Sequence, residues 1–227
     1  MKRLGIYFFF DKDGIVDKYV DYVLEDLTKH VDKLIVVCNG QLNERGRKTF
    51  EKFTGNIIVR ENKGFDVWAY KTAIDSEGWN KLIEYDEIIL MNYTIMGPVY
   101  PLKEMFDIMD KRLELDFWGI TKCFQENSPV AQQIWQCPYG YIPEHIQSSF
   151  MAFRRSIVSS TIFQKYWDEM PMIKSYYESG GSHEQYITKY FSDNGYRWDC
   201  YTNYDDMDEE IYTCLLYTSP SPRDVEE

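Results

Sequence analysis

The sequence predicts an α/β fold with a mainly parallel sheet and helices on both faces. Up to Met91, short apolar runs rich in β-branched and aromatic residues alternate with stretches of helical period, which is the pattern of βαβ units. The breaks between them carry Gly, Asn and Asp, residues that end one element and start the next. At 227 residues the chain can bury a full core in one domain.

Residues 4–10 form the first strand. Basic residues precede it, but Asp11, Lys12 and Asp13 cut the apolar run off too early for a secretory signal. Val16, Tyr19, Val20, Val23, Leu24 and Leu27 then recur at three- and four-residue steps, predicting a helix with one buried face. Residues 34–38 are the second strand, Asn39-Gly40 a turn, and Asn43 caps a helix through Phe53 that Thr54-Gly55 stops. Residues 57–59 and 88–91 are the third and fourth strands. Gly97-Pro98 and Pro101 precede a helix to about Lys111, and residues 116–121 are strand-like. Residues 124–143 have no clear period and read as a loop or lid. Regularity returns with a strand at 149–153, a helix around 162–167, and a helix–strand pair over 183–201.

The formal charge of −12 argues against a nucleic-acid partner, because phosphate binding needs clustered Lys and Arg. It also disfavours general attraction to anionic lipid. No apolar run approaches the roughly 20 residues a membrane span requires. Cys38, Cys123, Cys137, Cys200 and Cys214 show no C-x-x-C spacing, so neither a zinc site nor a disulfide framework is indicated, and a reducing cytoplasm is the expected compartment. Aromatic residues make up 17% of the chain, with 19 Tyr. Such a content suits sugar stacking and ordinary protein interfaces alike.

The string from Cys214 through Asp224 reads as a sequencing adapter translated in frame, and such scars are set aside in fold reasoning. The expected organisation is one domain over residues 1–213, truncated at its end, and a tail over 214–227. The acidic run 205–210, including Asp206-x-Asp208, reads as a solvated end.

Four segments stand out for chemistry. They are Arg60-Glu61-Asn62-Lys63-Gly64-Phe65-Asp66 with Ala69-Tyr70-Lys71, Leu90-Met91-Asn92-Tyr93-Thr94 with Gly97-Pro98, Asp116-Phe117-Trp118-Gly119-Ile120-Thr121, and His145-Ile146-Gln147-Ser148-Ser149-Phe150 with Arg154-Arg155. With Asp13-Gly14-Ile15-Val16-Asp17 and Gly195-Tyr196-Arg197-Trp198-Asp199, their order resembles the rhamnan synthesis protein F family over nearly all of residues 1–213. The resemblance implies a GT-A-like, Rossmann-like glycosyltransferase of bacterial cell-wall or surface polysaccharide synthesis. It implies a dTDP- or UDP-sugar donor, rhamnose among the candidate sugars, and a glycan or lipid-linked glycan acceptor. It also implies work in the cytoplasm at the inner face of the membrane, with peripheral contact to assembly machinery.

The resemblance places Asp13, Asn62, Gly64, Asp66 and Asn92 around the donor. Physics supports the loop at Gly64: strand carboxyl ends form the ligand crevice of open α/β sheets, and a following helix points free N–H groups at a pyrophosphate. The alternative is a plain turn at Gly64 with Asp66 capping a helix through Lys71. GT-A enzymes often hold a divalent metal, Mg or Mn, by Asp-x-Asp after the fourth strand. Here Tyr93 follows Asn92, which leaves metal dependence open.

Glu184, in Gly180-Gly181-Ser182-His183-Glu184, resembles the acceptor's general base of inverting GT-A enzymes. The plain alternative makes Ser182 a helix N-cap and Glu184 a first-turn residue. His145, Gln147 and Arg154 are candidates for acceptor or phosphate contact, and Trp118 either stacks on a sugar or fills the core. Two other functions stay open. Asp11-Lys12-Asp13-Gly14 after an apolar strand matches the opening of haloacid-dehalogenase-type phosphatases, with Asp11 as nucleophile. Residues 34–40 and 88–93 supply neither the Lys nor the acidic pair that this chemistry needs. A GT-A-like binding module without turnover is the third reading, kept open by Tyr93.

Overall fold

The structure is a computed structural model that describes residues 1–202. The acidic run, Asp206-x-Asp208, Cys214 and the boundary after Thr213 lie outside the described residues.

The first half follows the expected alternation: β1 (Arg3–Phe10), α1 (Lys18–Leu27), β2 (Lys33–Asn39), α2 (Glu44–Glu51), β3 (Ile57–Arg60), α3 (Phe65–Glu77), α4 (Trp79–Leu82) and β4 (Glu87–Asn92). Asn43 caps α2, its Oδ1 accepting from the Gly46 N–H at 2.7 Å. The second half holds α5 (Leu102–Met109), β5 (Phe117–Gly119), β6 (Lys122–Cys123), α6 (Pro129–Trp135), β7 (His145–Ile146), β8 (Phe150–Arg154), α7 (Arg155–Val158), α8 (Thr161–Asp168), α9 (Tyr176–Ser179), a π turn (Gly180–Glu184), α10 (Gln185–Asp193) and β9 (Trp198–Cys200).

The main sheet runs β3-β2-β1-β4-β8-β5-β9. All neighbours are parallel except the pairs that β8 makes with β4 and β5. The chain winds outward from β1 to β3 and then returns to lay β4 on the other side of β1. The topological switch point therefore lies between β1 and β4, where open α/β sheets bind ligands at strand carboxyl ends.

Alternate residues of the central strands feed two cores. Tyr7, Phe9, Ile89 and Met91 pack with α1, α2 and α5, while Leu4, Ile6, Phe8, Ile88 and Leu90 pack with α3, α8 and α10. Helices cover both faces, as predicted. No helix among the described residues is long and apolar enough to cross a membrane.

Two local expectations need correction. Residues 124–143 are not all loop: Ser128 accepts from the Ala131 N–H and Pro129 opens α6. Ser182 is not an N-cap. Ser175 caps the segment, accepting from the Glu178 N–H at 3.1 Å, and the chain stays helical through α9, the π turn and α10.

Candidate functional site

The loop after β3 is braced from below. One Arg60 Nη1 donates to Asn39 Oδ1 at 2.7 Å and to the Lys63 carbonyl at 2.8 Å, while Asn39 Nδ2 donates to the Phe65 carbonyl at 3.0 Å. Gly64 (φ 76°) and Phe65 (φ 54°) are both left-handed. A Cβ on Gly64 would lie 2.5 Å from Trp68, so glycine is required there. Phe65 is a bulky residue in that region, a conformation costing on the order of 1–3 kcal/mol that clusters at functional sites. Gly64, not Asp66, takes the N-cap position of α3. Asp66 is thereby carried one step into the helix, beside the end of β4.

A polar cluster forms there. Asn92 Nδ2 donates to Asp66 Oδ2 at 3.4 Å, and the Ser179 hydroxyl donates to Asp66 Oδ1 at 3.4 Å. Burial raises the Asp66 carboxyl above its usual range; the Asn92 hydrogen bond opposes this, and the nearby Glu184 charge adds to it. Glu184 ends the π turn, and its Oε2 accepts from the Ser148 N–H at 2.9 Å and from the Ser148 hydroxyl. One helical turn below Asp66, the buried Tyr70 hydroxyl has no hydrogen-bond partner among the described residues and feels both carboxylates. Two carboxylates from distant parts of the chain are thus tied to the end of β4, Asp66 through Asn92 and Glu184 through Ser148, whose neighbour Ser149 accepts from the Asn92 N–H at 3.0 Å.

The turn after β4 does not offer a metal chelate. Asn92 Oδ1 already accepts from the Thr94 N–H at 3.1 Å and from the Thr94 hydroxyl at 2.5 Å. The Tyr93 ring packs edge-on against Phe8 and Phe9, both at 5.7 Å, and its carbonyl accepts from the Tyr19 hydroxyl at 2.8 Å. Among the described residues no three His, Cys, Asp or Glu side chains are grouped to hold a metal ion. The residues present do not fit the metal that Asp-x-Asp would hold.

Of the other candidates, Asn62 is exposed and sits beside Gly40, on the side of the edge strand β3. Asp13 is exposed on the turn after β1, where the Asp11 carboxylate accepts from the N–H groups of Asp13 (3.0 Å) and Ile15 (2.9 Å). Asp11 therefore braces a turn, the plain alternative to a phosphatase nucleophile. Gln147 is half-buried, and its Oε1 accepts from the Thr121 hydroxyl at 2.5 Å, next to Ser148.

Two expectations, for His145 and Arg154, are corrected, and Trp118 takes the second of its two readings. His145 is 3% exposed, with Nδ1 2.7 Å from the Pro143 carbonyl, so it presents no face to an acceptor. Trp118 is fully buried and donates to Glu87 at 2.8 Å, a core residue rather than a sugar platform. Arg154 pairs in register with Glu87 at the amino end of β4. That is roughly 16 Å of strand from Asn92. Its guanidinium lies 3.6 Å from Glu87 and donates to the carbonyls of Arg112 and Met109. It is structural.

Sequence reasoning missed Ser148 and Ser179. Ser148 stands inside the His145 to Phe150 motif, where a serine carries no signal of its own, and nothing in the sequence signals Ser179.

Fold and cluster define a doubly wound α/β protein with two carboxylates, Asp66 and Glu184, held near the carboxyl end of β4 beside its topological switch point. The chain belongs to the rhamnan synthesis protein F family, whose model matches residues 34–221. It is 23% identical over 150 residues to the uncharacterized protein y4gN of Sinorhizobium fredii (strain NBRC 101917 / NGR234), a match covering 66% of this chain and 35% of that protein. Among solved structures it is similar to the glucosyl-3-phosphoglycerate synthase of Mycobacterium tuberculosis in complex with UDP, at 12% identity and a TM-score of 0.42. The same enzyme with Mn2+, UDP-glucose and phosphoglyceric acid gives 12% and 0.42. Each of these two matches covers 69% of this chain and 57% of the enzyme. The chain thus spans about a third of the curated relative and little more than half of the solved one.

Proposed function

We propose that this chain is an inverting glycosyltransferase domain that moves a hexose, rhamnose being the leading candidate, from a dTDP- or UDP-sugar to a growing cell-surface polysaccharide. It works in the cytoplasm, on a glycan or lipid-linked acceptor presented at the inner face of the membrane by assembly machinery. The observation that carries this reading is that Asp66 and Glu184, which the family resemblance marks separately, are both tied to the end of β4, one through Asn92 and the other through Ser148.

In this reading the donor diphosphate lies along the start of α3, where free N–H groups and the close backbone approach at Gly64 favour an anion. Asp66 and Asn92 contact the donor's polar edge, with Asn62 and Asp13 at the rim. Glu184 Oε1 carries no hydrogen bond among the described residues, whereas Oε2 is held by Ser148. Oε1 takes the proton of the acceptor hydroxyl as its oxygen bonds to the anomeric carbon. The bond from that carbon to the diphosphate breaks on the opposite side, and the nucleoside diphosphate leaves with the electron pair. No step is assigned to a divalent metal.

The packing of Tyr93 against Phe8 and Phe9, where Asp-x-Asp would stand, favours one rival, a binding module without turnover. Incubating the protein with dTDP- and UDP-sugars and an oligosaccharide acceptor separates the two. Release of nucleoside diphosphate coupled to acceptor extension is expected; tight donor binding with no release would favour the module.

A further inference from the structure

Glu184 lies at the end of the π turn, a widened helical segment of the kind found often at functional sites. Its carboxylate is aimed from outside the helix. Both contacts come from Ser148, a residue only 9% exposed, through the backbone N–H at 2.9 Å and through the hydroxyl. The residues around Ser148 are pinned in turn. The Ile146 N–H donates to Thr188 Oγ1 at 3.0 Å, and the Gln147 N–H donates to the Thr121 carbonyl at 3.0 Å. The Ser149 carbonyl accepts from the Asn92 N–H at 3.0 Å. Ser148 is therefore a fixed point tied to β4, to α10 and to the strand-end loop at Thr121.

We propose that Ser148 is the positioning residue for Glu184, its two donors fixing Oε2 so that Oε1 is the oxygen left to take a proton. The inference rests on the reading of Glu184 as base. Hydrogen bonds to a carboxylate are charge-assisted and directional. A base held in one pose meets the acceptor without first losing rotational freedom, and that gain appears in the chemical step rather than in donor binding. A tie that only joined two loops would show itself in stability, and in donor affinity and rate together.

The test compares wild type with Ser148→Ala, Ser148→Cys and Glu184→Gln, using UDP-glucose and dTDP-rhamnose as donor probes and an oligosaccharide acceptor. Melting temperature and UDP affinity are measured on the same samples. Ser148→Ala keeps the backbone donor and loses the hydroxyl. Its kcat should fall on the order of ten-fold, with donor KM and UDP affinity unchanged, and Ser148→Cys, a weaker donor, should lie between. Should the alanine variant not fold, the cysteine variant carries the same comparison. An unchanged kcat in Ser148→Ala alongside an inactive Glu184→Gln overturns the positioning role alone. Equal losses of kcat and UDP affinity overturn it too. Normal turnover by Glu184→Gln, or none by wild type with either donor, overturns the base reading and this inference with it.

Discussion

Burial, and after it the nearby Glu184 charge, resist ionisation of Asp66. Carboxyls perturbed in this way are frequent at sites that handle protons, and also in structural networks. Just before Glu184, His183 is buried, its Nδ1 2.7 Å from the Tyr166 hydroxyl and its Nε2 without a partner among the described residues. Burial pushes the imidazole down from 6.5 to about 3. The folded protein thus keeps His183 neutral while the unfolded chain takes a proton below about pH 6.5. Its contribution is fully present above that pH and is lost as pH falls toward 3. Urea unfolding at pH 6.5 and pH 5 should show wild type losing on the order of 2 kcal/mol from this group, and His183→Gln losing much less. Equal losses in the two proteins would locate the acid sensitivity elsewhere.

At the scale of elements, the helix that carries Glu184 is shaped by two glycines. A Cβ on Gly181 would lie 1.8 Å from the Trp135 carbonyl oxygen, and one on Gly180 would lie 2.4 Å from the Trp135 ring. The end of α6 thus rests directly on the π turn, with Trp135 against Tyr176 (5.7 Å) and Tyr177 (5.6 Å). Gly181→Ala should lift α6 from this seat and cost about 1–3 kcal/mol, as overpacking does. Gly55→Ala, where a Cβ meets nothing within 4 Å, is the control. Thermal melts and limited proteolysis within residues 124–143 check it; an unchanged cleavage rate in Gly181→Ala would show that α6 is not seated there.

The same elements show what the sequence made legible. β1, β2, β4 and α1 could be read because each buries one face or two over several residues, which writes a period into the chain. α6 has only seven residues, Pro129–Trp135, too few for a period; Ser128-Pro129, a capping serine before a first-turn proline, was the readable sign. The π turn follows no standard period, so Gly180-Gly181-Ser182 read as a break and Ser182 as a cap. The antiparallel placement of β8 is a long-range pairing that local pattern does not encode. Among candidate site residues, turn chemistry made the bend at Gly64 legible, while the placing of Gly64, Asp66 and Glu184 at a site came from the family resemblance. Arg154 and His145 misled because sequence shows residue type but not burial.

Over the whole molecule the two ends of the sheet divide stability from the candidate chemistry. At the amino end of β4, Glu87 is fully buried between Arg3, 2.7 Å away, and Arg154, and it accepts from Trp118 at 2.8 Å. Arg3 still pairs with Glu87 when Arg154 is removed, but the carbonyls of Arg112 and Met109 lose their donor, so Arg154→Met should cost about 1–3 kcal/mol. UDP affinity of the fraction that stays folded should not change. A selective loss of UDP binding in a stable Arg154→Met protein would return Arg154 to the phosphate site.

The carboxyl end holds the central claim, that Glu184 is the acceptor's base in a nucleotide-sugar cleft. Glu184→Gln keeps size and the capacity to accept from Ser148 but cannot take up the proton. The decisive measurement is sugar transfer by Glu184→Gln, with donor affinity determined on the same preparation. Affinity within error of wild type and a fall in transfer of ~10²- to 10⁴-fold is the predicted result; near-normal transfer by a variant that binds donor normally would contradict it.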